Sequence, residues 1–187
     1  MEVLLLRKIG TTSWLLLLLS IIVGIWLCVS PRTSISKDSN WIPYKIRQQY
    51  TDYSLPNGSL PYRQYYGGNY SYGYSAITVR ASNNSDVVVI IKNNNANGSV
   101  AAHAYICKGC SYSFDLPNGT YQTFFYFGKD WYPEKNMNGG IKGGFINNEA
   151  FSKDNPRDLY DQELTYSLVR QQNGNFQTKK SNSSEAF

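Results

Sequence analysis

The sequence predicts an all-β protein, an antiparallel β-sandwich of about seven strands, preceded by one N-terminal transmembrane helix. The helix is predicted because the 21 residues at positions 9–29 contain no charged side chain. The sandwich is predicted because short apolar segments after residue 75 alternate with polar positions at the period of two that is typical of strands. Turns rich in Asn, Gly and Pro separate these segments, as they do in all-β domains.

The candidate transmembrane helix, residues 9–29, follows a short N-terminal tail of residues 1–8. At about 1.5 Å per residue it is long enough to cross a hydrocarbon core of roughly 30 Å. Trp14 and Trp26 lie near its ends, where aromatic side chains favour the membrane interface. A cleaved signal peptide is the alternative, but Pro31 would be a poor start for a mature chain. We therefore expect an uncleaved, single-pass membrane anchor.

Basic residues flank both ends of this helix and leave its orientation open. Two precede it and four follow it within about 20 residues, so the positive-inside rule does not favour an external domain. A short tail before a single anchor is the usual layout of a signal anchor, and the domain looks like those of extracytoplasmic proteins. We therefore expect an extracytoplasmic location. A scaffold that faces the cytosol stays as an alternative.

Residues 30–74 are predicted to form a tether, rich in Tyr, Gly and Pro, between the anchor and the domain. They show no sustained periodicity, and residues 62–74 are a low-complexity tract of mainly Tyr and Gly. One interpretation is an adhesive or sugar-stacking surface, because Tyr offers a flat amphipathic ring at low entropic cost. We favour the other interpretation, a flexible spacer whose tyrosines lie partly on the domain.

The predicted sandwich occupies residues 75–181, and residues 182–187 form a C-terminal tail. Six of its predicted strands show period-two alternation or a continuous apolar or aromatic run, and Asn173-Gly174 turns the chain into the last one. The strands are predicted at residues 76–81, 86–92, 100–107, 111–116, 120–127, 164–169 and 175–179.

The centre of the domain is a strand, a tight corner and a longer strand within residues 111–128. Tyr112, Phe114 and Leu116 alternate with polar residues, which predicts one buried face. The corner at residues 117–119 is Pro-Asn-Gly, whose φ preferences suit a tight turn. The strand that follows is aromatic on both faces, so we expect it to lie centrally in a sheet that is covered on both sides.

Periodicity stops after this strand, and residues 128–155 are predicted to be a long connection. Trp131 and Tyr132 lie on it and are candidates for stacking on a ligand. They could equally close one end of the sandwich.

The pair Cys107 and Cys110 forms a C-x-x-C motif, which has several chemical uses. Thiol–disulfide exchange requires the first Cys at a helix N-terminus, where its pKa falls, but here the pair flanks a predicted β-turn. Haem attachment requires His at the next position, which is Ser111. Structural zinc requires four ligands, and His103 supplies only a third. A disulfide across the turn, or two buried thiols in a cytosolic domain, is the simpler interpretation.

No catalytic set, metal site or cofactor site is predicted. His103 is the sole histidine, so any Ser-His-Asp or Cys-His mechanism would have to use it. The carboxylates before the strand at residues 164–169 lack the paired placement across a cleft that a glycosidase needs. The glycines of residues 139–144 lack the spacing and the Ser or Thr of a phosphate-binding loop.

The net charge of +5 and the pI near 9.0 are weak evidence for nucleic-acid binding. The 18 basic residues are scattered singly, whereas such binding normally uses a basic stripe. No nucleic-acid partner is expected.

At residues 116–121, Leu-Pro-Asn-Gly-Thr-Tyr, the chain resembles the corner of prealbumin-like and other immunoglobulin-like bacterial modules. A longer likeness covers about residues 75–187, where the chain is similar to an uncharacterised bacterial family of membrane-anchored β-sandwich modules, immunoglobulin-like or prealbumin-like, with no assigned function. The segments that carry it are residues 87–92, 103–106, the Leu116 corner, 124–131 and 172–176. This resemblance implies a β-module at a membrane, with no reaction and no catalytic residues to transfer.

The expected function is a non-enzymatic binding or structural module at the cell envelope. Its expected partners are the membrane, through the anchor, and an envelope protein or a glycan. The runner-up is a membrane-tethered thiol–disulfide protein that uses Cys107 and Cys110.

Overall fold

The computed structural model describes residues 42–70, 72–95, 97–168 and 178–187. The predicted tail and transmembrane helix, residues 1–29, lie outside these ranges, as does most of the predicted last strand. Within the described ranges, no helix combines the length and the apolar character needed to cross a membrane.

The described residues form mostly β-strands, with three short α-helices and one 3₁₀ turn at Asn138–Gly140. The helices are α1 (Tyr44–Gln49), α2 (Arg63–Tyr66) and α3 (Ser183–Ala186). The strands are β1 (Ser75–Arg80), β2 (Asp86–Asn93), β3 (Val100–Ile106), β4 (Ser111–Leu116), β5 (Gly119–Asn136), β6 (Lys142–Lys153), β7 (Arg157–Leu159), β8 (Glu163–Ser167) and β9 (Lys179–Lys180).

These strands form two sheets, as the predicted all-β sandwich requires. The small sheet has the order β4-β1-β8, and the large sheet has the order β3-β2-β5-β6-β9, with β7 paired to the start of β5. All the described pairings are antiparallel except that of β1 with β8, which is parallel. The predicted antiparallel arrangement holds for the other described pairs, and β1 with β8 departs from it. The long stretch of chain between these two strands allows a parallel pairing, which a short hairpin loop would not.

A hydrophobic core lies between the two sheets. Ile77 and Val79 of β1 and Phe114 and Leu116 of β4 contribute to it from the small sheet, each at most 1% exposed. Their neighbours in sequence point outward, so the predicted alternation of buried and exposed positions is confirmed. The large sheet contributes alternate residues of β2, β3 and β5, among them Phe125.

The large sheet is covered on both faces, as predicted for the strand after the Leu116 corner. Strand β2 lies between β3 and β5, and its residues 87–91 are fully buried. Val87 and Val89 face the core between the sheets, whereas Val88 and Ile90 face a second hydrophobic cluster on the outer side. Phe124 and Tyr126 of β5 belong to that second cluster.

The second cluster is covered by chain segments that lie outside the predicted sandwich. Tyr62, from the predicted tether, is fully buried within it, and Leu55 and Tyr66 pack against it. From the predicted C-terminal tail, Ala186 is 1% exposed and the Phe187 ring packs against the rings of Tyr62 and Tyr126. The described part of the stretch before β1 therefore covers the second cluster and is not only a spacer. We call it the covering layer.

The long connection predicted at residues 128–155 is wrong, because strands β5 and β6 form a long hairpin there. The pairing of these strands shifts between Phe127 and Lys129 and again between Tyr132 and Asn136. Such bulges interrupt the period of two and hide a strand from a pattern search. Gly128 permits the close pairing, because a Cβ there would lie 2.3 Å from Cβ of Phe145.

Candidate functional site

Trp131, a predicted ligand-stacking residue, lies in the second cluster and is 2% exposed. The rings of Tyr105 and Phe145 contact it edge to face, at centroid distances of 5.6 and 5.2 Å. Its backbone N–H donates to the carbonyl of Tyr53 at 2.8 Å. No broad face of the indole is open to a ligand, so Trp131 holds the covering layer on the sheet instead.

Tyr132, the other predicted stacking residue, is half-buried on the same strand. Its ring packs against that of Tyr50, just after α1, with centroids 5.0 Å apart. Tyr50 in turn meets Tyr53 edge to face at 5.5 Å. Tyr132 therefore also helps to fix the covering layer, and its role in stacking on a ligand stays a prediction.

A groove opens beside Trp131, between the covering layer and the β5–β6 hairpin, with a volume of about 580 Å³. We call it the Trp131 groove. Its apolar lining is formed by Leu55, Leu60, Pro61, Trp131 and Pro133. Its charged lining is formed by Arg63 of α2, Glu134 of β5 and Lys142 of β6.

The charges at the groove are not balanced. Lys142 Nζ lies 3.5 Å from a carboxylate oxygen of Glu134, and both side chains are solvent-exposed. Arg63 is exposed and makes no ion pair with any residue in the described ranges. The guanidinium of Arg63 is therefore available to an acidic group on a ligand.

Two hydrogen bonds hold the walls of the groove together. The Tyr62 hydroxyl donates to the carbonyl of Gly143 at 3.1 Å, and the backbone N–H of Lys142 donates to the Tyr65 hydroxyl at 3.0 Å. They link the region of α2 to the start of β6, across more than 70 residues of sequence. Burial raises the pKa of Tyr62 well above its usual value, so this donor stays protonated.

Glycine is required at position 143 for two reasons. Its φ of +105° lies in a region that side chains disfavour. A Cβ there would also lie 2.8 Å from Cζ2 of Trp131. The wall of the groove and the position of the indole therefore depend on each other.

His103, the sole histidine, lies beneath the covering layer and is 1% exposed. Its Nε2 accepts the backbone N–H of Tyr62 at 3.2 Å, and its ring stacks on the Tyr62 ring at 6.0 Å. Burial lowers its pKa to about 4, so the imidazole is neutral at physiological pH. His103 therefore has a structural role, because its Nε2 already accepts the hydrogen bond from Tyr62.

Cys107 and Cys110 are joined by a disulfide, with Cα atoms 5.2 Å apart. It closes the turn between β3 and β4, where the N–H of Cys110 donates to the carbonyl of Cys107 at 2.9 Å. Gly109 supplies the positive φ of +72° that the turn needs. Neither cysteine starts a helix, and no group of three potential metal ligands occurs among the described residues.

The buried carboxylate of Asp86 connects this turn to the covering layer. It accepts the N–H of Lys108 at 2.7 Å, the Ser54 hydroxyl at 2.7 Å and the Tyr105 hydroxyl at 2.5 Å. Three donors compensate for burial of the carboxylate, which is 4% exposed. No sequence pattern marks Asp86, because its three partners are spread over residues 54–108.

No protein-family model, curated protein or solved structure matches this chain. The resemblance to membrane-anchored β-sandwich modules therefore stays a prediction.

Proposed function

We propose that the protein is a membrane-anchored, non-enzymatic binding module that captures an extended peptide segment of an envelope protein in the Trp131 groove. The observation that carries this proposal is an apolar lining beside the guanidinium of Arg63, which forms no ion pair within the part of the chain that the structure describes. A concave, mostly apolar site with a few oriented polar groups is the usual form of a binding site.

The lining of the groove suggests the chemistry of the peptide. Leu55, Leu60 and Pro61 offer an apolar surface that suits an aliphatic or aromatic side chain. Arg63 can bind a carboxylate through two parallel N–H groups. Lys142 is already close to Glu134, so the groove favours one negative charge. We therefore expect a ligand with an apolar residue and a nearby Asp, Glu or C-terminal carboxylate.

For the fold, we propose the prealbumin-like form of the sandwich. In a constant-type immunoglobulin domain the first two strands belong to the same sheet. Here β1 and β2 belong to different sheets, and β1 pairs with β4 and β8. The corner, where the Tyr121 hydroxyl donates to the carbonyl of Pro117 at 2.8 Å, agrees with prealbumin-like and other immunoglobulin-like modules alike. Membership of the membrane-anchored family is part of the same proposal.

The proposed location is a single-pass membrane protein with its domain outside the cytoplasm. The apolar run at residues 9–29 supports the anchor. The disulfide between Cys107 and Cys110 supports an oxidising compartment, because structural disulfides are rare in the reducing cytosol.

The test uses the full chain in detergent and an array of overlapping peptides from envelope proteins. Wild type should retain peptides that combine an apolar residue with a carboxylate. Arg63→Glu should weaken their binding at least tenfold, because it places like charges together. Arg80→Glu, the same charge change on the exposed side of the small sheet, should leave binding unchanged. Equal binding by wild type and Arg63→Glu, or no bound peptide, would contradict the proposal.

The second candidate function is thiol–disulfide exchange, which the exposed turn between Cys107 and Cys110 favours. A reactive pair would catalyse the reduction of insulin disulfides and show a depressed thiol pKa after reduction. A structural pair would do neither. We favour the structural role, because the turn lacks the helix N-terminus that activates such cysteines.

A further inference from the structure

A second cleft, of about 390 Å³, lies near the 3₁₀ turn, between the β5–β6 hairpin and α3. We call it the Lys135 cleft. Its lining includes Lys135, Met137, Glu149, Phe151 and Ser183. None of these residues lines the Trp131 groove, so the two sites are separate.

Lys135 gives this cleft a buried ammonium group, since its side chain is 7% exposed. Nζ donates to the carbonyl of Phe145 at 2.6 Å and to Oε2 of Glu149 at 2.7 Å. Lysine has three N–H donors, so these two contacts leave one for a further acceptor.

Glu149 completes the polar part of the cleft. Its Oε1 accepts the Tyr126 hydroxyl at 2.7 Å, and its side chain stays 31% exposed. Each carboxylate oxygen has two lone pairs, so Glu149 can accept further hydrogen bonds. The backbone N–H of Phe145 donates to the same Tyr126 hydroxyl at 2.8 Å, which fixes this network on the sheet.

Ser183 contributes a hydroxyl whose hydrogen bonding is incomplete. Its Oγ is buried and has no hydrogen-bond partner among the described residues. An unsatisfied buried polar atom normally indicates a water or a ligand that occupies the neighbouring space. Lys135 and Ser183 both line the cleft, so we infer that one oxygen-bearing ligand could meet the remaining donor of Lys135 and the Ser183 hydroxyl.

The charges of the cleft select a neutral ligand. Lys135 and Glu149 neutralise each other, so an anion would meet the carboxylate and a cation would meet the ammonium. Donors and acceptors stand side by side, which matches hydroxyl groups that both donate and accept. Phe151 and Met137 add an apolar wall that suits the C–H face of a sugar ring.

We propose that the Lys135 cleft binds a neutral sugar, with Ser183, Lys135 and Glu149 as its hydrogen-bonding groups. The volume of the cleft falls within the range of small-molecule sites, at its lower end. This sugar site is independent of the peptide site that we propose beside Trp131.

The test is saturation-transfer NMR followed by calorimetric titration of the full chain with glucose, galactose, mannose, N-acetylglucosamine and their common disaccharides. The protein is kept in a detergent without a sugar headgroup, because such a headgroup would compete. At least one sugar should bind saturably. Ser183→Ala should weaken it about three- to tenfold, as expected for one neutral hydrogen bond.

Ser184→Ala is the matched control, because this neighbouring serine is exposed and its hydroxyl bonds to Asn182 outside the cleft. It should bind as wild type does. A cleft that holds only water would show no saturable binding of any sugar, which would overturn the proposal. Binding that persists in Ser183→Ala but is lost in Arg63→Glu would assign the sugar to the Trp131 groove and would also overturn it.

Discussion

The side-chain amide of Asn69 brackets the backbone of His103. Its Nδ2 donates to the carbonyl of His103 at 2.9 Å, and its Oδ1 accepts the N–H of His103 at 2.9 Å. The amide thus occupies the place of a further strand beside β3, which is the edge of the large sheet. Gly58 and Ser59 pair with the backbone of Tyr105 in the same way, both at 2.8 Å. The edge is therefore protected against pairing with other chains.

The first prediction concerns Asn69→Ala. Loss of both bonds should lower the free energy of unfolding by about 1–3 kcal/mol, the usual worth of two neutral hydrogen bonds. It should also speed hydrogen exchange at the His103 amide, because its acceptor is gone. Chemical denaturation and exchange NMR measure the two effects. Asn84→Ala is the control, since this exposed side chain makes no hydrogen bond with the described residues.

The second prediction concerns pH, through His103. Its pKa is lowered from 6.5 to about 4 by burial, so the unfolded chain binds this proton more readily than the folded chain. The neutral ring therefore stabilises the fold fully above pH 6.5, and about 3 kcal/mol is lost as pH falls toward 4. Because the chain has one histidine, its Cε1–H resonance reports the folded-state pKa directly.

The matched variant is His103→Gln, which offers a neutral acceptor to the N–H of Tyr62. Its unfolding free energy should fall less steeply than that of wild type between pH 6.5 and 4, because the titrating ring is gone. A resonance of wild type that titrates near 6.5 would contradict the buried position of His103.

The third prediction concerns the proposed location and the disulfide. The third cysteine of the sequence, Cys28, is replaced by Ser so that only Cys107 and Cys110 can react. A membrane-impermeant thiol reagent should then label these two on intact cells only after reduction. This result requires an external domain with a formed disulfide. Labelling that first succeeds after lysis and denaturation would instead indicate a cytosolic domain, against the proposed orientation.

The fourth prediction compares two glycines of positive φ. Gly143→Ala should destabilise the fold by about 2–4 kcal/mol, because its Cβ meets Cζ2 of Trp131 at 2.8 Å in addition to the backbone strain. Gly139 has a φ of +68°, but none of the described residues places an atom within 4 Å of an added Cβ, so Gly139→Ala should cost about 1–2 kcal/mol. Thermal unfolding followed by near-UV circular dichroism measures both. Equal losses would show that Gly143 does not position Trp131.

The strands were predictable because burial follows their local pattern. Ile77 and Val79 alternate with polar neighbours, and they are buried as the alternation requires. The covering layer was not predictable, because its residue types are the same as those of neighbouring segments that are exposed to solvent. Tyr62 is fully buried while Tyr72 and Tyr74 of the same tract are 83% exposed. Distant contacts, such as those with His103 and Gly143, distinguish Tyr62, and no local period in the sequence records them.

The candidate site was predictable only in part for the same reason. Trp131 was found from its residue type, but its surroundings were predicted as a loop because the period of two stops before it, and Pro133, which lacks an N–H for the ladder, also disfavours a regular strand. In the hairpin Pro133 falls where the register shifts, between Tyr132 and Asn136, so the missing donor is tolerated. Arg63 and Lys142 meet at one groove from distant segments, which no motif marks.

The fifth prediction compares two ion pairs on the same hairpin. Glu149→Gln leaves the Lys135 ammonium, 7% exposed, without its carboxylate. The expected loss of unfolding free energy is about 1–3 kcal/mol, below the value for a fully buried pair because Glu149 itself is 31% exposed. Glu134→Gln removes the partner of the exposed Lys142, at 3.5 Å, and should cost less than about 1 kcal/mol.

Denaturant titrations of both variants at low and high salt separate the two cases. Salt should reduce the small effect of Glu134→Gln, since exposed pairs are screened, and should change that of Glu149→Gln much less. A loss for Glu149→Gln no larger than that for Glu134→Gln would mean that water reaches Lys135 freely. The Lys135 cleft would then be an open surface, and water would already satisfy the N–H donor of Lys135 that the proposed sugar is expected to meet.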